Sequence, residues 1–129
     1  MTPIVTRITD VATIGIPVSD QDRALAFYRD ALGFEVRMDG IFGPGMRWIE
    51  VAPPGASTSV ALVQAREDYS AGIDTGLRLT TQDAAADHEA LRANGVDVDV
   101  EVIPYPVPMF TFRDADGNRL YVVERPTDE

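Results

Sequence analysis

The pattern of apolar and polar residues switches between two periods along this chain. Every second residue is apolar over positions 12–18, which predicts a first strand. From about 20 to 32 the apolar residues recur every three or four positions instead, which predicts an amphipathic helix. Gly33 follows, as expected for a residue that ends a helix in the left-handed conformation. The apolar stripe of this helix consists of Leu25, Tyr28 and Leu32.

The same unit returns in the second half of the chain. A short alternating segment around Leu77 predicts a fifth strand, and the residues from about 83 to 93 predict a second helix that ends at Gly95. Asp83 is placed to cap this helix, as Ser19 or Asp20 is in the first copy. A repeat of this length indicates a duplicated supersecondary unit.

Three segments with strand character follow each helix, separated by loops rich in glycine and proline. They lie at about 34–38, 46–51 and 58–64 in the first half, and at about 96–102, 109–113 and 119–124 in the second. The chain therefore predicts an α+β fold with two βαβββ modules, about 10–65 and 74–126, in one domain over 1–129. Strand twist should curl both modules into a curved eight-stranded mixed sheet with a concave pocket.

Composition narrows the possible functions. The formal charge is −10, and all 11 basic residues are arginine, so lysine chemistry is excluded. The absence of cysteine excludes disulfides and thiolate nucleophiles, and an acidic chain without a basic cluster is a poor partner for nucleic acid or membrane. No apolar run or signal-like segment is seen, so we expect a cytoplasmic location. The single histidine, His88, lies inside the second helix and is interpreted as structural or surface-exposed.

Two sequence motifs resemble those of a known family. The segments F-Y-R-D-A-L-G-F, residues 27–34, and F-R-D-A-D-G-N, residues 112–118, are similar to motifs of the vicinal oxygen chelate superfamily. That superfamily includes glyoxalase I, extradiol dioxygenases, fosfomycin-resistance enzymes and bleomycin-binding proteins. The resemblance spans about residues 10–126 and implies the fold, but no single activity.

The resemblance also shows where metal ligands would lie. The corresponding positions here are Thr13, Gly76, Tyr121 and, on the fourth strand, either Leu62 or Gln64. Threonine, glycine and tyrosine are not normal ligands for a divalent metal, and Glu124 has the opposite strand parity to Tyr121. We therefore expect neither a bound metal nor a cofactor.

Strand parity then assigns the residues that line the pocket. On the third strand the inward set is either Trp48 with Glu50, or Arg47 with Ile49 and Val51. We favour the first set because Ile49 and Val51 suit the side covered by the helix. The expected ligand-binding residues are Thr13, Trp48, Glu50, Gln64, Arg78, Met109 and Tyr121.

Several of these features also have a purely structural interpretation. Trp48 and Tyr121 are equally consistent with ordinary core aromatics. Arg78 can pair with Glu50 and neutralise a buried charge, although such a pair also suits an anionic ligand. Alternating acids on the sixth strand are typical of a solvated edge that blocks further pairing; these are Asp97, Asp99 and Glu101.

Two functions remain open at this point. The first is a metal-independent protein that binds a small, aromatic or anionic molecule. The alternative is an enzyme. Its favoured form is a metal-free lyase or isomerase, with Glu50 as the general base and Arg78 or Tyr121 stabilising negative charge. A metal-dependent dioxygenase or lyase is the less favoured form. Exposed strand edges favour a homodimer, in which the modules pair within a chain or swap between chains.

Overall fold

The computed structural model describes residues 2–125, and its elements repeat one order twice. The first module contains β1 (Thr13–Val18), α1 (Gln21–Ala26), a π-helical turn (Phe27–Ala31), β2 (Glu35–Ile41), β3 (Arg47–Ala52) and β4 (Ser59–Gln64). The second contains β5 (Asp74–Thr81), α2 (Ala84–Ala93), β6 (Asp97–Val98), β7 (Met109–Arg113) and β8 (Arg119–Glu124). The duplicated βαβββ order is as predicted.

The strands form two sheets of the same topology. Their orders are β1-β4-β3-β2 and β5-β8-β7-β6. The first strand of each module pairs in parallel with the last, and the other pairs are antiparallel. The α+β class and the two modules are confirmed. The eight strands, however, are divided into two four-stranded sheets with the helices between them.

Both helices begin and end as their sequences indicate. The Asp20 carboxylate accepts a hydrogen bond from Arg23 N, and the Asp83 carboxylate accepts one from Ala86 N. Each cap satisfies a backbone donor that the first turn leaves free. Gly33 ends the first helical segment with a φ of +76°, in the left-handed region. Neither helix within residues 2–125 is long and apolar enough to cross a bilayer.

One apolar core joins the two modules. Alternate residues of each sheet point toward the helices and become buried, which stabilises the fold through loss of apolar surface from water. The other face of each sheet is therefore turned outward. The largest contributors to this core are Ile16, Tyr28, Ile49, Leu62, Phe110, Phe112 and Leu120.

The D-A-D-G-N turn, residues 114–118, connects the modules by hydrogen bonds. Tyr28 OH donates to Asp114 Oδ2 at 2.7 Å, and both groups are buried. Asn118 Nδ2 donates to Pro17 O at 2.8 Å, so β1 is attached to the same turn. The D-A-D-G-N motif therefore connects the two modules through buried hydrogen bonds.

The sixth strand is much shorter than its alternating valines predict. The expected strand over 96–102 is reduced to Asp97–Val98. His88 Nε2 lies 2.6 Å from Asp99 O, and Thr111 N donates to Asp99 Oδ2 at 2.8 Å. Asp99 O and Thr111 N, which would bond to each other in a longer β-ladder, are therefore bonded to side chains instead. His88 has the structural role that was one of its two interpretations.

Asp99 also corrects the predicted solvated acidic face. Its carboxylate is half-buried, accepts hydrogen bonds from Thr111 and lies 3.1 Å from the Arg113 guanidinium. Burial opposes ionisation, but the hydrogen bonds from Thr111 and the Arg113 charge prevail and lower the pKa of Asp99. The prediction of a solvated face is wrong for this residue, whereas Asp97 and Glu101 are exposed.

Candidate ligand-binding surfaces

The outward face of β1, β3 and β4 carries a hydrogen-bonded cluster, which we call the Glu50 surface: Trp48, Glu50, Ser59 and Thr13. Trp48 Nε1 donates to Glu50 Oε2 at 2.7 Å, and Ser59 Oγ donates to Glu50 Oε1 at 2.7 Å. The cluster forms because Ile49 enters the core, so that its neighbours in sequence point outward. As favoured from the sequence, Trp48 and Glu50 share the face of the third strand that the helix does not cover.

Glu50 is held as an anion by this arrangement. Hydrogen bonds from the Trp48 indole and then from the Ser59 hydroxyl lower the pKa of Glu50, against the opposing effect of burial. Both carboxylate oxygens are thereby fixed in position. A carboxylate with a lowered pKa is a good hydrogen-bond acceptor and a poor general base at neutral pH.

The outward face of the second sheet carries the Arg78 surface: Asp74, Arg78, Met109 and Tyr121. The Arg78 guanidinium lies 4.5 Å from the centre of the Tyr121 ring, in a cation–π contact. Tyr121 OH donates to Asp74 Oδ2 at 2.8 Å, and this bond raises the pKa of Tyr121 and lowers that of Asp74. Arg78 is exposed, so its positive charge is available to an anion.

Two expectations about individual side chains need correction. The pairing of Arg78 with Glu50, which was one interpretation of these side chains, is not formed: Glu50 is bonded to Trp48 and Ser59, while Arg78 donates to Gly76 O at 2.9 Å. Gln64 does not join Glu50 either. It shares the parity of the core residues of β4, and its Nε2 donates to Ser19 O at 3.1 Å beside the first helix.

The remaining predicted residues fall into two separate groups. Thr13 donates to Ser59 O at 3.2 Å and so belongs with Glu50, whereas Met109 shares the outward face with Tyr121. In residues 2–125 no hydrogen bond or ion pair joins the two groups. A crevice of about 500 Å³ between 53–60 and 77–80 reaches Ser59 and Arg78, but Trp48, Glu50 and Tyr121 do not line it.

The positions that the resemblance assigns to metal ligands do not fit a metal. Gly76 has a φ of +69°, a conformation in which a residue with a side chain would be strained. The hydroxyls of Thr13 and Tyr121 already donate to Ser59 O and Asp74. Within the described part of the chain no three His, Asp or Glu residues cluster in a way that suits a metal. Metal independence remains a prediction.

The family follows from comparison with known proteins. Residues 10–122 match the model of the Glyoxalase/Bleomycin resistance protein/Dioxygenase superfamily. The chain belongs to this superfamily. The fold expected from the two motifs is therefore confirmed, with the motifs at the first helix and at the β7–β8 turn.

Relatives within the superfamily cover nearly the whole chain. The uncharacterized protein YetH of Bacillus subtilis (strain 168) is 30% identical over 113 residues, which are 86% of this chain and 94% of YetH. A superfamily member from Sphaerobacter thermophilus DSM 20745 is 37% identical, with a TM-score of 0.86 over 93% of this chain and all of that one. TnmS3, an antibiotic binding protein from Streptomyces sp. CB03234, is 35% identical, with a TM-score of 0.83 over 93% of this chain and 98% of TnmS3.

Two partners of the site residues were not anticipated from the sequence. Ser59 fixes Glu50, but the contact depends on the register of β3 against β4, which the loop between them does not reveal. Asp74 holds Tyr121, yet it lies at the edge of the second module, before the segment around Leu77 that predicts the fifth strand. The extension of β5 back to Asp74 is what brings this carboxylate into reach.

Proposed function

We propose that this protein binds a small aromatic molecule without a metal and does not transform it. The observation that carries the proposal is the Glu50 surface, where an indole and an anionic carboxylate are fixed to each other at 2.7 Å. Side chains held in advance lose little freedom when a ligand arrives. A fixed acceptor beside an aromatic plane suits a planar ligand that donates a hydrogen bond.

The Arg78 surface supplies the complementary chemistry. Its exposed guanidinium suits an acidic group of the ligand, and the Tyr121 ring below it limits the directions in which the guanidinium can point. A ligand that is aromatic and carries both a donor and an anionic group would engage both surfaces. This is the aromatic or anionic molecule expected from the sequence.

We further propose that the two surfaces meet across a homodimer. Within one chain they lie on the outward faces of sheets that have the helices between them. Apolar side chains near both sheets are exposed, as expected of a surface that a second copy covers. They include Met38, Ile41, Phe42 and Met46 in the first module and Ile103 and Tyr105 in the second.

The comparison with TnmS3 supports binding rather than turnover. That protein binds an antibiotic, and its similarity to this chain extends over almost the full length of both. The lowered pKa of Glu50 points the same way, because the enzyme alternative needs this residue as a base. An antibiotic or a planar metabolite is therefore the ligand class to screen first.

The proposal is tested by titrating the protein with a panel of planar aromatic antibiotics while Trp48 fluorescence is followed. Trp48 is the only tryptophan, so any change reports on the Glu50 surface. We expect saturable binding that Glu50→Gln weakens and Glu89→Gln, an exposed helix position, does not. Mass spectrometry of the mixture without added metal should show the ligand unchanged. A new product that disappears in Glu50→Gln would favour the enzyme, and an unresponsive Trp48 would remove the Glu50 surface from the site.

A further inference from the structure

A cavity lies on the helix side of the molecule, and at Pro53, Leu79 and Thr80 it adjoins the crevice that reaches Ser59 and Arg78. Its volume is about 540 Å³, which is within the range of small-molecule sites. Its floor is the inward face of the second sheet, and its walls are α2 and the end of the first helical segment. The apolar side chains around it are Leu32, Phe34, Leu79, Leu91, Phe112 and Val122.

The cavity lies where the two modules meet, because its lining includes residues of both. At one edge Asn94 Nδ2 donates to Ala31 O at 3.4 Å and so connects α2 with the first module. At another edge Pro53 of the β3–β4 loop completes the lining. The pocket is open to solvent on one side, so an apolar guest that enters it would remove apolar wall surface from water.

The polar groups of the lining indicate the charge of such a guest. Among the residues that the structure describes, Asp87 is the only ionisable one in the lining, and none of the basic side chains of residues 2–125 lines it. Asn94 adds an amide at the same side of the cavity. An anion would therefore meet a like charge, whereas an ammonium group or a neutral donor would find an acceptor.

We propose that this cavity is a second ligand site, for a compact apolar molecule that carries a cationic or neutral hydrogen-bond donor. It is distinct from the Glu50 and Arg78 surfaces, since Trp48, Glu50, Arg78 and Tyr121 do not line it, although it shares Pro53, Leu79 and Thr80 with the crevice that reaches Ser59 and Arg78. Leu79 of β5 lines the cavity, and its neighbour Arg78 points to the outward face. The ligand would contact both modules at once and hold them together.

The test is a methyl NMR titration of leucine- and valine-labelled protein with 2-naphthylmethylamine. We expect saturable shifts at the methyl groups of Leu79, Leu91 and Val122. The methyl groups of Val63 and Val123, on the outward faces, should stay unchanged. Shifts confined to those two valines, or no saturable shift at all, would overturn the proposal.

A matched pair of helix variants places the probe in the cavity. Ala90 and Ala85 are both exposed residues of α2, but only Ala90 lines the cavity. Ala90→Phe should occupy the space and weaken the probe at least about tenfold, while Ala85→Phe should leave its affinity within about twofold. Equal affinities in these two variants would contradict the assignment.

The charge preference has its own comparison. The anion 2-naphthoate has a ring system of the same size and should bind at least about threefold more weakly than the amine, the scale of a partly exposed ion pair. Asp87→Asn should remove this difference without altering the methyl groups that respond. Equal binding of both probes to the unchanged protein would overturn the cationic preference.

Discussion

Removal of a single hydroxyl group tests how strongly the two modules are joined. In Tyr28→Phe the ring stays in the core, and only the hydrogen bond to Asp114 Oδ2 at 2.7 Å is lost. The carboxylate oxygen then keeps one donor, Asn118 Nδ2 at 3.1 Å. Because the bond is buried and its acceptor is charged, its loss should cost about 1.5–3 kcal/mol. For a domain of this size the Tm should fall by about 5–10 °C.

Scanning calorimetry and urea unfolding measure this loss, with Tyr105→Phe as the matched control. Tyr105 is 82% exposed, so removal of its hydroxyl should change the free energy of unfolding by less than about 0.5 kcal/mol. A double-mutant cycle with Asp114→Asn should show that the two changes are coupled. If both tyrosine variants lost equal and small amounts of unfolding free energy, the hydrogen bond between Tyr28 and Asp114 would not stabilise the contact between the modules.

The same bond predicts a dependence on alkaline pH. Burial, and then the charge of Asp114, raise the pKa of Tyr28 well above its usual value. The unfolded chain releases the phenol proton near pH 10, whereas the folded chain retains it. Stability should therefore decline as pH rises above about 10, and this part of the decline should vanish in Tyr28→Phe.

Three further predictions concern single residues. The pKa of Asp99 is lowered in the folded state, so its contribution to stability should be present above about pH 4 and lost as the pH falls further. When Tm is measured against pH, the loss of stability in acid should be smaller in Asp99→Asn than in the control Asp97→Asn. Gly76→Ala should lower the free energy of unfolding in urea by about 1–2 kcal/mol from its left-handed φ alone, since among the described residues no atom beyond its two chain neighbours lies within 4 Å of an added Cβ. A neutral result would remove the backbone argument against a metal ligand at this position. Arg78→Met should weaken an anionic aromatic ligand by about 1 kcal/mol if Arg78 stays exposed, and by about 1.5–3 kcal/mol if a second copy covers it, whereas Arg92→Met should have no effect on the titration.

The features that the sequence predicts correctly are those that depend on local chemistry. Three features follow from neighbours a few positions away: the cap at Asp83, with Asp20 as one of two candidates in the first helix, the stop at Gly33, and the place of Glu50 on the strand face opposite the core residue Ile49. Such preferences are carried by the chain itself, so the duplicated module could be recognised before any tertiary contact was known.

The features that escaped prediction depend on contacts between distant segments. The sixth strand was shortened because His88 and the Asp99 carboxylate took over backbone groups of the ladder, a competition that alternating valines do not reveal. Gln64 was misplaced because the register of β4 is set by its partners. Division into two sheets follows from how the modules pack, which no local pattern specifies.

Mixed dimers test most directly whether the Glu50 and Arg78 surfaces form one site across two chains. Glu50→Gln and Arg78→Met chains, each defective for a ligand found in the screen, are mixed and allowed to exchange subunits. In a composite site each mixed dimer contains one site with both native surfaces, so about one quarter of all sites should recover wild-type affinity in the Trp48 titration. If the site lies within one chain, every chain carries a defect, and no site of wild-type affinity would appear.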